Sequence, residues 1–223
     1  MRWTIPNILT VFRLLAAPCV ALVFVIFARP TADWIALALF VGAAITDWFD
    51  GYIARGWHLQ SRFGTMLDPI ADKAMVIIAL TVVVALSGLD PLLVVPAAVI
   101  LFREVFVSGL REFLGADAST LKVTKLAKWK TTVQMVAITL LLLSLGLQEE
   151  HASLFYALSS DDYALAMDAG PSGWNYVWWV AQSGWLTGLC GVVCFWLAAV
   201  LTAITGIDYF VKALPFLRED GRG

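Results

Sequence analysis

Four carboxylates, Asp47, Asp50, Asp68 and Asp72, lie among apolar runs long enough to cross a bilayer. An unpaired ionisable group at depth in hydrocarbon costs on the order of several kcal/mol, so such groups face a protein interior or a water-filled cavity and mark a working site. The chain must therefore fold so that these acids meet one another and meet cations. Hydrophobic residues make up 61% of the 223 and charged ones 14%, against about 25% charged in soluble domains. A soluble core of this size cannot hide that much apolar side chain. The predicted fold is all-α, a polytopic membrane helix bundle with about six transmembrane helices near 8–28, 32–56, 65–88, 91–115, 124–147 and 184–212, forming a single domain over 1–223.

Spacing says how the acids are used. On a helix over 40–56, Asp47 and Asp50 are three residues apart, and Gly51, Ala54 and Arg55 fall on the same side. Asp68 and Asp72 are four apart on the next helix, with Gly64 one turn earlier. The intervening GWHLQSRF is too short and polar to cross a bilayer, so the helices form a hairpin and both acid pairs share one membrane end. Mg²⁺ prefers oxygen ligands and commonly shares carboxylates with a substrate phosphate, and two divalent ions would balance four carboxylates. Gly51, Ala54 and Gly64 clear space for a nucleotide against the backbone, and Arg55 offers a planar fork to phosphate oxygens. The alternative is that the acids pair with Arg55, Arg62 and Lys73 as interhelical glue, which would not require small residues on the acidic face. Pro69, directly after Asp68, predicts a local helix distortion.

The pattern D-x-x-D-G-x-x-A-R, a spacer, then G-x-x-x-D-x-x-x-D is complete here and resembles the motif of the CDP-alcohol phosphotransferases, integral membrane enzymes of phospholipid synthesis. IPNILTVFR, FREVFVSGLRE and KWKTTVQMVA are similar to stretches of the bacterial phosphatidylglycerophosphate synthases within that family, so the resemblance spans about residues 4–146. It implies transfer of a phosphatidyl group from CDP-diacylglycerol to sn-glycerol 3-phosphate, giving phosphatidylglycerol phosphate and CMP. It further implies two Mg²⁺ ions, with Mn²⁺ as a substitute, on Asp47, Asp50, Asp68 and Asp72, the last also serving as general base. An ordinary carboxylate is a weak base for an alcohol, so a metal must help. Gly51, Ala54, Arg55, Ser61 and Gly64 would receive the nucleotide part of the donor, and Asn7 and Thr10, on one arc with Arg13, would face nucleotide and acceptor. The alternative is helix capping with a snorkelling Arg13. A homodimer is implied by the resemblance alone.

The acceptor is argued from charge. Arg103 and Arg111 lie in the same half of the fourth helix, and with Lys128 and Lys130 of KWKTT they form the basic concentration able to face the acids, where a phosphate would dock. Glu104 and Glu112 could instead neutralise the arginines. A sister transferase using inositol phosphate, serine or phosphatidylglycerol remains open, as does a Mg²⁺ transporter, although a transporter needs neither the motif's glycines and arginine nor acids confined to one end.

With six spans, Arg29 is the one basic residue on the far side, which puts both termini and the acid site in the cytoplasm, and the resemblance points to a bacterial inner membrane. The stretch 148–183 contains no lysine or arginine and reads as an atypical external loop, with Trp174, Trp178, Trp179 and Trp185 at the interface. Gly184, Gly188 and Gly191 suit a close helix contact. Cys19, Cys190 and Cys194 read as buried small hydrophobes. The expected partners are the two substrates and membrane lipids, and no nucleic-acid motif is present.

Overall fold

The computed structural model describes residues 5–57, 62–115 and 125–217, with side chains described over 7–47, 63–64, 66–115 and 129–216. The described backbone forms α1 (Ile5–Ile26), α2 (Thr31–Trp57), α3 (Arg62–Leu86), α4 (Pro91–Leu114), α5 (Lys125–Ala157), α6 (Ser160–Asp168) and α7 (Tyr176–Leu217), with a 3-10 turn at Ser172–Trp174. Boundaries follow local chemistry. Asp90 caps α4 by accepting from the Leu92 amide at 2.9 Å, and Pro91 fills the first position, where no amide donor is needed. Ser159 caps α6 by accepting from the Asp162 amide.

Among the described residues five helices, within α1, α3, α4, α5 and α7, are long and apolar enough to cross a membrane. α2, whose side chains are described to 47, packs among them against α1 and α5. α1 lies against both α2 and α3, α5 runs along α7, and α4 packs on α7. Phe40, Leu80, Val83, Ile100, Ile138, Leu142 and Phe195 are fully buried at the centre. α3 continues through Pro69, so the distortion predicted there does not interrupt the helix. The cysteines depart from expectation: Cys190 is exposed, and Cys19 and Cys194 are only partly covered, Cys194 packing against the core.

The α5–α7 contact uses the three glycines as their spacing predicts. A Cβ on Gly184 would stand 3.3 Å from Leu147 Cβ, one on Gly188 2.8 Å from Ser144 Oγ, and one on Gly191 3.2 Å from the Leu141 amide nitrogen. The approach lets Ser144 Oγ donate to the Gly184 carbonyl at 2.9 Å. Because backbone cannot move aside, Gly191→Leu is expected to destabilise the detergent-solubilised protein by about 1–3 kcal/mol, the usual range for overpacking. A melting temperature lowered by several degrees checks this, and an unchanged one refutes it.

Residues 148–183 are not a loop for most of their length. α5 continues through Gln148, Glu149 and Glu150 to Ala157, and α7 begins at Tyr176. Polar side chains end an apolar run without ending a helix when their propensity is high, as it is for Gln and Glu. At about 1.5 Å per residue, the 33 residues of α5 extend well past a hydrocarbon core of about 30 Å. Left-handed Gly170 and Gly173 turn the chain back, and Asn175 starts α7 by accepting from the Trp178 amide and donating to the Gly170 carbonyl at 2.9 Å. Trp174, Trp179 and Trp185 are exposed.

Arg29 ties this end together. Its guanidinium makes a two-pronged pair with buried Asp33, both contacts 2.9 Å, and reaches Glu149 Oε2 at 2.9 Å. Hydrogen bonding to Asp33 raises the Arg29 pKa further above its ordinary value, so its charge persists at physiological pH. The lone basic residue predicted for the far side is thus consumed in joining α2 to α5.

Candidate active site

Asn7, Thr10 and Arg13 repeat every three residues on α1, which places them on one face, and all three are buried. That face meets the acids. Arg13 Nη1 donates to Asp47 Oδ1 and to Asp72 Oδ1, the latter at 2.5 Å, and Nη2 donates to Asp68 Oδ1 at 3.2 Å. Thr10 Oγ1 donates to the same Asp68 oxygen at 2.7 Å. α2 and α3 therefore deliver their carboxylates to a point that α1 supplies with a cation.

Three carboxylates around one guanidinium leave this group two charges negative, while each acid keeps about half its side chain accessible. Among the described residues no three ligand-type side chains are already gathered for a metal ion, because the carboxylates stand around Arg13. The donor set nevertheless fits a hard divalent cation: all donors are carboxylate oxygens, they converge from two helices, and their charge exceeds what Arg13 offsets. The side chains of Asp50, Ala54, Arg55 and Lys128, the surroundings of Gly51 and all of Ser61 lie outside what the structure describes. Gly64 is buried near the start of α3.

Two cavities meet at Asp72. The first, about 310 Å³, is lined by Arg13, Ala43, Ala44, Asp47, Ala71, Asp72, Met75, Val76, Thr131, Thr132, Met135 and Val136. The second, about 300 Å³, is lined by Pro69, Asp72, Lys73, Val76, Arg103, Glu104, Arg111, Lys130, Thr131 and Gln134. Asp72, Val76 and Thr131 belong to both. The first cavity is acidic and otherwise largely apolar; the second carries four cations against two carboxylates.

In the basic cavity, Glu104 organises the cations. Lys130, 4% exposed, donates to Glu104 Oε1, and Arg103 Nη1 lies 3.2 Å from the same oxygen. Lys73 Nζ donates to Ser108 Oγ at 2.5 Å. Gly206 on α7 makes room for Arg103, since a Cβ there would stand 3.0 Å from Arg103 Cγ. Glu112 does not neutralise Arg111, as was one expectation; the guanidinium lies over the Tyr209 ring, 5.2 Å from its centroid. Two buried atoms, Arg103 Nε and Gln134 Oε1, have no hydrogen-bond partner among the described residues.

Arg103, Arg111 and Lys130 thus meet in one cavity as their positions predict, and the alternative pairing of Glu104 with Arg103 holds as well, whereas Arg13, Lys73 and Gln134 join the site unforeseen. For Arg13 the signal was present in its three-residue spacing from Thr10. For Gln134 it was the four-residue step from Lys130, which puts the two on one face of α5.

The family profile for CDP-alcohol phosphatidyltransferase matches residues 3–204 of the chain. Three curated proteins, each named CDP-diacylglycerol–glycerol-3-phosphate 3-phosphatidyltransferase, are similar to it. That of Cereibacter sphaeroides is 57% identical over 99% of this chain and 100% of its own length. That of Rickettsia bellii is 38% identical over 92% of this chain and 93% of its own. That of Escherichia coli K12 is 39% identical over 69% of this chain and 85% of its own.

Proposed function

The chain belongs to the CDP-alcohol phosphatidyltransferase family, and from that premise we propose that it transfers the phosphatidyl group of CDP-diacylglycerol to sn-glycerol 3-phosphate, releasing CMP. The observation that carries the reading is Asp72, standing on the wall shared by an acidic cavity and a basic one. The donor's diphosphate belongs on the acid side, beside Asp47, Asp68 and Asp72, with Thr10, Asn7, Gly51, Ala54, Arg55, Ser61 and Gly64 as its surroundings. The acceptor's dianionic phosphate belongs with Lys73, Arg103, Arg111 and Lys130, and with Lys128 by sequence proximity. The excess of two positive charges there matches a phosphate monoester.

In this arrangement Asp72 takes the proton of the acceptor's primary hydroxyl. The oxygen bonds to the phosphorus that carries diacylglycerol, and the bond from that phosphorus to CMP breaks, CMP leaving with the electron pair. Holding both reactants at one carboxylate supplies proximity, worth several kcal/mol of the barrier in well-oriented systems. The family is generally metal-dependent; two Mg²⁺ held by Asp47, Asp50, Asp68 and Asp72 would supply positive charge to the diphosphate and acidify the hydroxyl. Arg13 holds the carboxylates in place by donating to Asp47, Asp68 and Asp72. The five apolar helices make it a membrane protein. Counting α2, which packs among them against α1 and α5, as the sixth span puts the site and both termini on the cytoplasmic side of a bacterial inner membrane. The single domain over 1–223 and the homodimer are carried over from the family resemblance.

The test offers purified protein, Mg²⁺ and CDP-diacylglycerol with glycerol 3-phosphate, inositol phosphate, serine or phosphatidylglycerol separately, and identifies the lipid product by mass. Glycerol 3-phosphate is expected to show the highest kcat/KM. A higher value for any other acceptor overturns the assignment, and ion flux in liposomes without turnover would replace the enzyme with a transporter.

A further inference from the structure

We propose that Gln134 selects the acceptor through its secondary hydroxyl, with the side-chain amide oxygen accepting a hydrogen bond from the hydroxyl that stays free while the primary one attacks. The inference rests on the acceptor assignment above and names how the same cavity reads the rest of the molecule. Gln134 is 3% exposed, lines the basic cavity, and its Oε1 is buried with no partner among the described residues. Leaving a buried acceptor unpaired is unfavourable, and turning the side-chain amide about its last bond, which exchanges its oxygen and nitrogen, presents that acceptor to a ligand hydroxyl in the cavity.

Among the uncharged walls Thr131, on the side shared with the acidic cavity, also carries an oxygen able to accept from a hydroxyl, and the remaining polar walls are charged. Lysine and arginine side chains are donors only and can grip a phosphate but cannot accept from a hydroxyl. Of the carboxylates, Asp72 faces the attacking hydroxyl and Glu104 is held by Lys130 and Arg103. Gln134 stands four residues after Lys130, so the two side chains leave α5 as neighbours, roughly 5–6 Å apart at Cβ. A phosphate on Lys130 thereby brings the hydroxyl on the adjacent carbon toward the amide.

The test compares glycerol 3-phosphate with 1,3-propanediol monophosphate, which has the same dianion and primary hydroxyl but no secondary one. Wild type is expected to favour glycerol 3-phosphate by at least about 30-fold in kcat/KM, as sites that hydrogen-bond a substrate hydroxyl reject analogues lacking it. Gln134→Leu and Gln134→Met are expected to reduce that preference to within about threefold, through loss on glycerol 3-phosphate, with the CDP-diacylglycerol KM unchanged. Because neither variant breaks a hydrogen bond in the acceptor-free protein, its melting temperature should stay level or rise. A wild type indifferent to the hydroxyl, a preference retained in both variants, or a lowered melting temperature in both overturns the role of Gln134 while leaving the acceptor assignment standing. Turnover of neither compound overturns both.

Discussion

Asp72→Asn is expected to lower CMP release at saturating Mg²⁺ by at least about 10³-fold, or about 4 kcal/mol of barrier, with the fold intact. The substitution is nearly isosteric and removes a negative charge and a proton acceptor where the two cavities meet. It leaves Arg13 a side-chain carbonyl in place of the carboxylate oxygen that now accepts from it at 2.5 Å. It also relieves repulsion among three carboxylates gathered on one guanidinium. Melting measured in chelator should therefore be level or raised, which separates lost chemistry from lost structure. Activity within about tenfold of wild type, under 1.4 kcal/mol, excludes Asp72 as the base.

The parts of this protein that were legible in the sequence are those written as local spacing. The step between Asp68 and Asp72 on α3, the glycines of the α5–α7 contact and the Asp90-Pro91 start of α4 each depend on residues within a turn or two, so periodicity and capping chemistry expose them. What was not legible depends on partners distant in the chain. Arg13 reads as a snorkelling cation until α1 is laid against α2 and α3, 34 to 59 residues away. Lys73 and Arg111 find Ser108 and Tyr209, which no local rule pairs with them. The extension of α5 was hidden because the apolar run stops at the membrane boundary while the helix does not, and Glu149 finds Arg29 across the turn between α1 and α2. An acidic stretch outside the apolar core thus reads as loop when hydropathy, rather than helix propensity, sets the boundary.

The central claim is that the two substrates occupy separate cavities and meet at Asp72, so the most direct measurement is two-substrate steady-state kinetics of Lys130→Ala and Arg111→Gln. Charge-assisted hydrogen bonds to a dianion contribute about 1.5–3 kcal/mol each, or roughly 10–150-fold in kcat/KM. Each variant is expected to lose at least about tenfold in kcat/KM for glycerol 3-phosphate, chiefly through KM, while the CDP-diacylglycerol KM stays within about twofold. Lys130 should give the larger loss, because it is buried and its removal also leaves Glu104 without its lysine partner. A donor KM that rises in step with the acceptor KM, or an acceptor KM unchanged in both variants, would contradict the two-cavity account.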